Sequence, residues 1–322
     1  MADIYPFYGV RYSQEIVGDL ANVVCPPYDV ISPDEQITLQ QSSPYNAVRL
    51  ELGEVRADDE EGDRYRRSRE FLEQWLDSQV LLRDPKPAFY LLQEEFPEAG
   101  RIVVRQSLMA NVRLEEFGRG SVLPHERTRA AAKRDRLALM QTCKANFSPI
   151  MALYRDSSGK LLRELDSKTK TPPDAKIKIP EICQYRMWTI DDPVTVAKIQ
   201  EVLSAQPLYL ADGHHRYETA LVYRDTQRAI SSNSQEKPYD FVFMALIDIE
   251  DPGLKVQSYH RILKGMDLPN ITTLKSRIED MFDVTLVSQT TLNGLGEASL
   301  VIDNLMSRDT LEVAIGVVGL YE

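Results

Sequence analysis

Asp212-Gly213-His214-His215-Arg216 crowds half of the chain's four histidines, a glycine and an arginine into one short stretch. Histidine and arginine side chains donate to anions, and a glycine lets an anion approach the backbone closely. Pro207-Leu208-Tyr209-Leu210 upstream reads as a short strand. Tyr217, Ala220, Leu221 and Arg224 downstream fall at helical spacing from a start near Gly213, with Asp212 as its expected N-cap. A helix start carries unpaired N–H groups and partial positive charge, so phosphate or carboxylate is the implied ligand. The plainer alternative is a tight Asp-Gly turn with solvated histidines and Arg216 paired to Glu218 or a surface acid. Adjacent histidines point apart on a helix or strand, which disfavours their chelating one metal ion.

The other histidines sit in comparable company, His125 in Pro124-His125-Glu126-Arg127-Thr128 and His260 in Ser258-Tyr259-His260-Arg261. Together they suggest one polar site. Arg127, Arg129, Lys133, Arg134 and Arg136 make the following segment basic, either to neutralise phosphates or simply as a solvated helix face. Near the N-terminus, Pro26-Pro27 stiffens the loop that carries Tyr28 and Asp29. That loop is a rigid turn or a second wall of the site.

These residues need a scaffold, and the pattern predicts an α/β fold with a mixed sheet and flanking helices. Ser32-Pro33-Asp34-Glu35 signals a helix start at Pro33. Ser68, Phe71, Leu72, Trp75, Leu76 and Val80 share one face of a helix over 64–80, expected to pack on a sheet. Strands over 88–96 and 101–112 form a hairpin around a Pro97–Gly100 turn, and a helix spans 128–147. Further strands are expected over 150–154, 185–190 and 241–247, with a helix after the Asp192-Pro193 cap. A helix over 271–281 and two late strands close the chain. The organisation reads as an N-terminal α/β portion over 1–155, a flexible insertion or linker over 156–180, and a second α/β portion over 181–322.

At 322 residues and 43% apolar content, the chain has the composition of an ordinary globular protein. A net charge of -11 argues against duplex nucleic acid as the main partner. Three scattered cysteines, Cys25, Cys143 and Cys183, indicate neither a disulfide framework nor a cysteine-rich zinc site. With no secretory leader or membrane-length apolar run, the expected location is the cytoplasm.

Pro26-Pro27-Tyr28-Asp29-Val30, Pro124-His125-Glu126-Arg127-Thr128 and Ala211 through Ala220 together closely resemble the prokaryotic family called domain of unknown function 1015. Asn146-Phe147-Ser148-Pro149 and Asp251-Pro252-Gly253 also look like that family's pattern. Its members usually continue for roughly a hundred further residues, so the resemblance implies a short or truncated chain. More distantly, the Asp212–Arg216 box is similar to one in ParB and sulfiredoxin-like proteins, including free-serine kinases in which it binds nucleotide phosphates.

The resulting expectation is a nucleotide-dependent phosphotransferase, using ATP or ADP with magnesium and a small hydroxyl substrate such as free serine. Asp212, Gly213, His214, His215, Arg216 and Arg127 would hold phosphates, with magnesium as another role for Asp212. Glu126 or Asp29 would serve as base, and His125 would join the catalytic set. No Walker or kinase glycine-rich loop is present. The competing readings are a noncatalytic protein that senses a nucleotide or phosphorylated metabolite, and a ParB-like nucleic-acid binder.

Overall fold

Alternating apolar and polar residues build strands along most of the chain, and the helices between them cover the resulting sheet. The structure, a computed structural model, describes residues 2–98, 100–126, 128, 130–179, 182–231, 235–255 and 265–284. Strands β1 (Ile4–Tyr5) and β2 (Val10–Tyr12) precede helices α1 (Gln14–Val17), α2 (Pro33–Ser42), α3 (Val48–Glu51) and α4 (Asp63–Asp77). Next come β3 (Leu81–Arg83), β4 (Phe89–Glu98), β5 (Arg101–Arg113), β6 (Val122–Leu123), α5 (Ala130–Cys143) and β7 (Ile150–Tyr154). Then follow α6 (Lys160–Thr169), β8 (Ala175–Ile179), β9 (Cys183–Ile190), α7 (Pro193–Ser204), β10 (Leu208–Asp212), α8 (His214–Ile230) and β11 (Phe241–Asp248).

The main sheet runs β6-β10-β7-β11-β5-β4-β9-β8, with β1 also paired to β5. It is mixed, because β10 lies parallel to β6 and β11 parallel to β7, whereas the remaining pairs are antiparallel. The fold is therefore α/β, as the pattern predicts. Leu91, Leu108, Ile150, Leu208 and Leu210 are at most 1% exposed at its centre. Burying each such side chain is worth about 1.5–3 kcal/mol against the entropy of ordering it.

Local signals account for the helix starts. Ser32 accepts from the Glu35 N–H and Asp192 from the Thr195 N–H, each followed by a proline in the first turn. Ile199 and Leu203 of α7 then turn into the core. Helix α5 is shorter than its apolar pattern, ending at Cys143 before Lys144 adopts φ 53°.

Three details differ from expectation. Pro97 and Glu98, expected in the turn, belong to the hairpin arm, paired with Ile102 and Arg101. Proline is tolerated there because the pairing of β4 with β9 stops at Glu95. Residues 156–180, read as a flexible insertion, carry α6 and the edge strand β8. Helix α4 packs on α3 and α5 instead of the main sheet. Its apolar face joins a separate cluster in which Trp75 meets Tyr12, Tyr45 and Phe71.

Residues Met1–Val256 form one unit and Gln257–Glu322 another. The described part of the second contains α9 (Leu268–Met281), started by Asp267 accepting from the Asn270 N–H. His260 and the two expected late strands lie outside the described residues.

Trp75 is 2% exposed and its neighbour Leu76 is 38% exposed. Trp75→Ala should therefore cost about 3–5 kcal/mol in urea unfolding, and Leu76→Ala less than about 1 kcal/mol.

Candidate functional site

The parallel register of β6 and β10, Val122 beside Leu208 and Leu123 beside Tyr209, sends both chains out of the same sheet end. Carboxyl ends of neighbouring parallel strands are where open α/β sheets usually seat ligands. Here they deliver His125 and His214 to one place, with ring centroids 4.6 Å apart and planes at 90°. Nδ1 of His125 lies 2.7 Å from the Leu210 carbonyl, which can only accept, so that nitrogen carries the proton. The backbone N–H of His125 donates to Nε2 of His214 at 3.2 Å, so in neutral His214 the proton is on Nδ1.

Glu126 faces both rings. Its carboxylate oxygens lie 3.8 Å from Nε2 of His125 and from Nδ1 of His214. Those gaps exceed a hydrogen bond but suit a bridging water or ligand oxygen. The Glu126 side chain is 61% exposed and that of His214 only 1%. Burial, followed by the neighbouring His125, lowers the pKa of His214 below the ordinary histidine value.

Gly213, not Asp212, is the residue that caps α8. Its φ of 89° suits glycine, which has no side chain to cap the helix start. Asp212 instead ends β10 and accepts from Nη2 of Arg216 at 2.6 Å. Nη1 of Arg216 donates to the Pro149 carbonyl at 2.5 Å. The arginine expected to clamp phosphate thus ties the start of α8 to its own preceding strand and to the entry of β7. Asp212 is correspondingly engaged, and among the described residues no group of three or more His, Cys, Asp or Glu could hold a metal ion. His215 follows in the first turn, half-buried.

A second layer joins the remaining motifs. Thr128 and Lys133 both donate to Oε2 of Glu218 at 2.6 Å. Burial alone would raise the Glu218 pKa, but these bonds outweigh it and lower it. Tyr28 from the Pro-Pro loop lies under the Arg136 guanidinium, 3.8 Å from ring centroid to Cζ. Arg136 donates to the Glu51 carbonyl at 2.9 Å and pairs with Asp135 at 2.5 Å. Asp135 also binds Arg64, and Ser148 donates to Glu51. Asp29 is exposed on the same loop as Tyr28. Arg127 lies outside the described residues.

Sequence reading missed Glu51 and Asp135 as site-shaping residues, and took Lys133 only as part of a basic segment. Glu51 ends a four-residue helix, and nothing local marks its carboxylate as buried. Ser148 and Pro149 did carry a signal, as part of the Asn146–Pro149 motif. Tyr217, read only as a helix-spacing position, is fully buried, with its hydroxyl donating to the Glu115 carbonyl at 2.8 Å and accepting from its N–H at 2.9 Å.

The fold and site define an α/β protein with a mixed sheet and a polar cluster built at the ends of parallel strands. The chain belongs to the family described as protein of unknown function, DUF1015, which it matches over residues 4–314. Comparison with curated proteins and with solved structures yields no match. No helix among the described residues is long and apolar enough to cross a membrane.

Because the folded protein disfavours the charged form of His214, that residue supports stability above the ordinary histidine value of 6.5. Its contribution declines as pH falls through and below that value. The stability gap between wild type and His214→Gln should therefore narrow between about pH 7.5 and pH 5 in denaturant titrations. Gly213→Ala should destabilise by roughly 1–3 kcal/mol through backbone strain. Its added Cβ would also meet the Arg216 guanidinium at 3.0 Å.

Proposed function

We propose that this protein is a phosphotransferase that holds the phosphates of a nucleotide, ATP or ADP, at the start of α8 and transfers a phosphoryl group to a small hydroxyl substrate. The observation carrying this reading is the convergence of His125, Glu126 and His214 beside a helix start that has no side-chain cap. The helix start supplies N–H donors and partial positive charge. Glu126 is the exposed carboxylate available to orient an attacking hydroxyl. The Nδ1–H of His214 faces it, and a phosphate oxygen entering the gap would receive that proton as a hydrogen bond. Magnesium would arrive with the phosphates, since Asp212 is paired with Arg216.

One observation favours a second reading, a noncatalytic sensor of a nucleotide or phosphorylated metabolite. Arg216, the arginine expected to clamp phosphate, is already engaged by Asp212 and Pro149, whereas binding without turnover has no transition-state charge to neutralise. The engagement of Lys133 by Glu218 and of Arg136 by Asp135 weighs against a nucleic-acid-binding role for this segment, because those cations are unavailable to a phosphate backbone.

In the enzyme reading, Glu126→Gln lowers phosphoryl transfer by about 10²–10⁴-fold while retaining the thermal shift produced by nucleotide. A nucleotide-dependent shift in wild type without turnover across a panel of small hydroxyl acceptors would support the sensor. If ATP, ADP, AMP and inorganic phosphate, each with and without magnesium, leave Tm unchanged at roughly millimolar concentration, both readings fail.

A further inference from the structure

Glu126 faces the histidine pair across gaps of 3.8 Å, and contacts of that length are too weak to hold an exposed side chain in place. Its position is set by the backbone of the segment that carries it. One end of that segment is fixed where the His125 N–H donates to Nε2 of His214. The other is fixed three residues on, where the Thr128 hydroxyl donates to Oε2 of Glu218 at 2.6 Å.

Both anchors stand on α8. His214 and Glu218 are one helical turn apart, which puts them on the same face and about 6 Å from each other along the axis. Residues 125–128 therefore run along one turn of α8 and are bonded to it on either side of Glu126. Lys133, in the first turn of α5, donates to the same Oε2 at 2.6 Å. One carboxylate oxygen thus ties α8 both to the segment and to the helix that follows it.

Burial disfavours the charged form of Glu218, yet the bonds from Lys133 and Thr128 draw its pKa below the ordinary glutamate value. The carboxylate is ionised at neutral pH, and both charge-assisted bonds persist there. Such placement matters for chemistry, because displacing an orienting group by about 1 Å can cost about 10²-fold in rate.

We infer that Glu218 is a positioning residue that, by holding Thr128 and Lys133, keeps residues 125–128 along α8 and so sets the place of Glu126 against His125 and His214. Its effect on turnover rests on the phosphotransferase reading, whereas the geometry it imposes does not.

Three variants of the full chain test this by NMR without nucleotide. Glu218→Ala removes the anchor, Thr128→Val removes one bond while keeping the side-chain shape and every charge, and Thr128→Ser restores the hydroxyl. The rings of His125 and His214, with centroids 4.6 Å apart, should give a nuclear Overhauser contact in wild type. That contact should be lost in Glu218→Ala and Thr128→Val and return in Thr128→Ser. The titration of His214 gives a second readout. Burial, His125 and His215 lower its pKa, while Glu126 and Asp212 raise it. Release of residues 125–128 removes the two largest lowering influences together with the smaller pull of Glu126, so in Thr128→Val the pKa should rise toward 6.5. An unfolding midpoint near wild type for Thr128→Val establishes that the segment, not the whole fold, has been released.

A ring contact retained in either Glu218→Ala or Thr128→Val, or a His214 titration unmoved in Thr128→Val, overturns the inference. Where wild type transfers phosphate, both variants should lose about 10²-fold in kcat with the nucleotide KM within about twofold, and Thr128→Ser should recover the rate. A raised KM with kcat unchanged overturns the positioning role. Absence of transfer in wild type removes only the phosphotransferase reading, because the ring contact and the titration still decide whether Glu218 holds the segment.

Discussion

The parallel pairing of β6 with β10 is the constraint on which the candidate site rests. β6 has only two residues, yet its register with Leu208 and Tyr209 sets where the chain emerges at Pro124. From that point the His125 backbone N–H meets His214 and the His125 ring meets the Leu210 carbonyl. Two bonds join segments far apart in sequence, and each specifies a tautomer. A slip of one residue would send alternate side chains to the opposite face and separate the rings. The site thus depends on backbone register before it depends on any side-chain acidity.

The second organising feature is compensation of buried charge. Arg136 is 7% exposed, and a guanidinium at that depth is tolerable only with its partners in place. Asp135, the Glu51 carbonyl and the Tyr28 ring supply them. The same layer connects α3, α4, α5 and the Pro-Pro loop. Such networks contribute less to net stability than their number suggests, because desolvation offsets much of the attraction. Their effect here is positional, for they hold the Pro-Pro loop against α5 while Arg216 ties the start of α8 to β7.

Much of the scaffold was legible because its signals are local. Ser32 and Asp192 announce helix starts through short-range hydrogen bonds, and the alternation across residues 88–112 requires only neighbouring residues to be recognised. The start of α8 near Gly213 could also be read from the helical spacing downstream of it. Other features escaped for physical reasons. The surface against which α4 packs depends on the distant α5, and its own periodicity says only which face is apolar. Asp212 and Gly213 are adjacent, and which of them caps α8 turns on a backbone dihedral that composition leaves open.

Residue order by itself determined the α/β class, the helix and strand types, and the choice of His125, Glu126 and the Asp212–Arg216 box as residues worth examining. These follow from periodicity, capping and side-chain chemistry, all of which act over a few residues. Tertiary structure alone decided that His125 meets His214, that Tyr28 lies under Arg136, and that Arg216 is held by Asp212 and Pro149. Those contacts arise from strand register and helix packing between segments distant along the chain, where local sequence exerts no direct constraint.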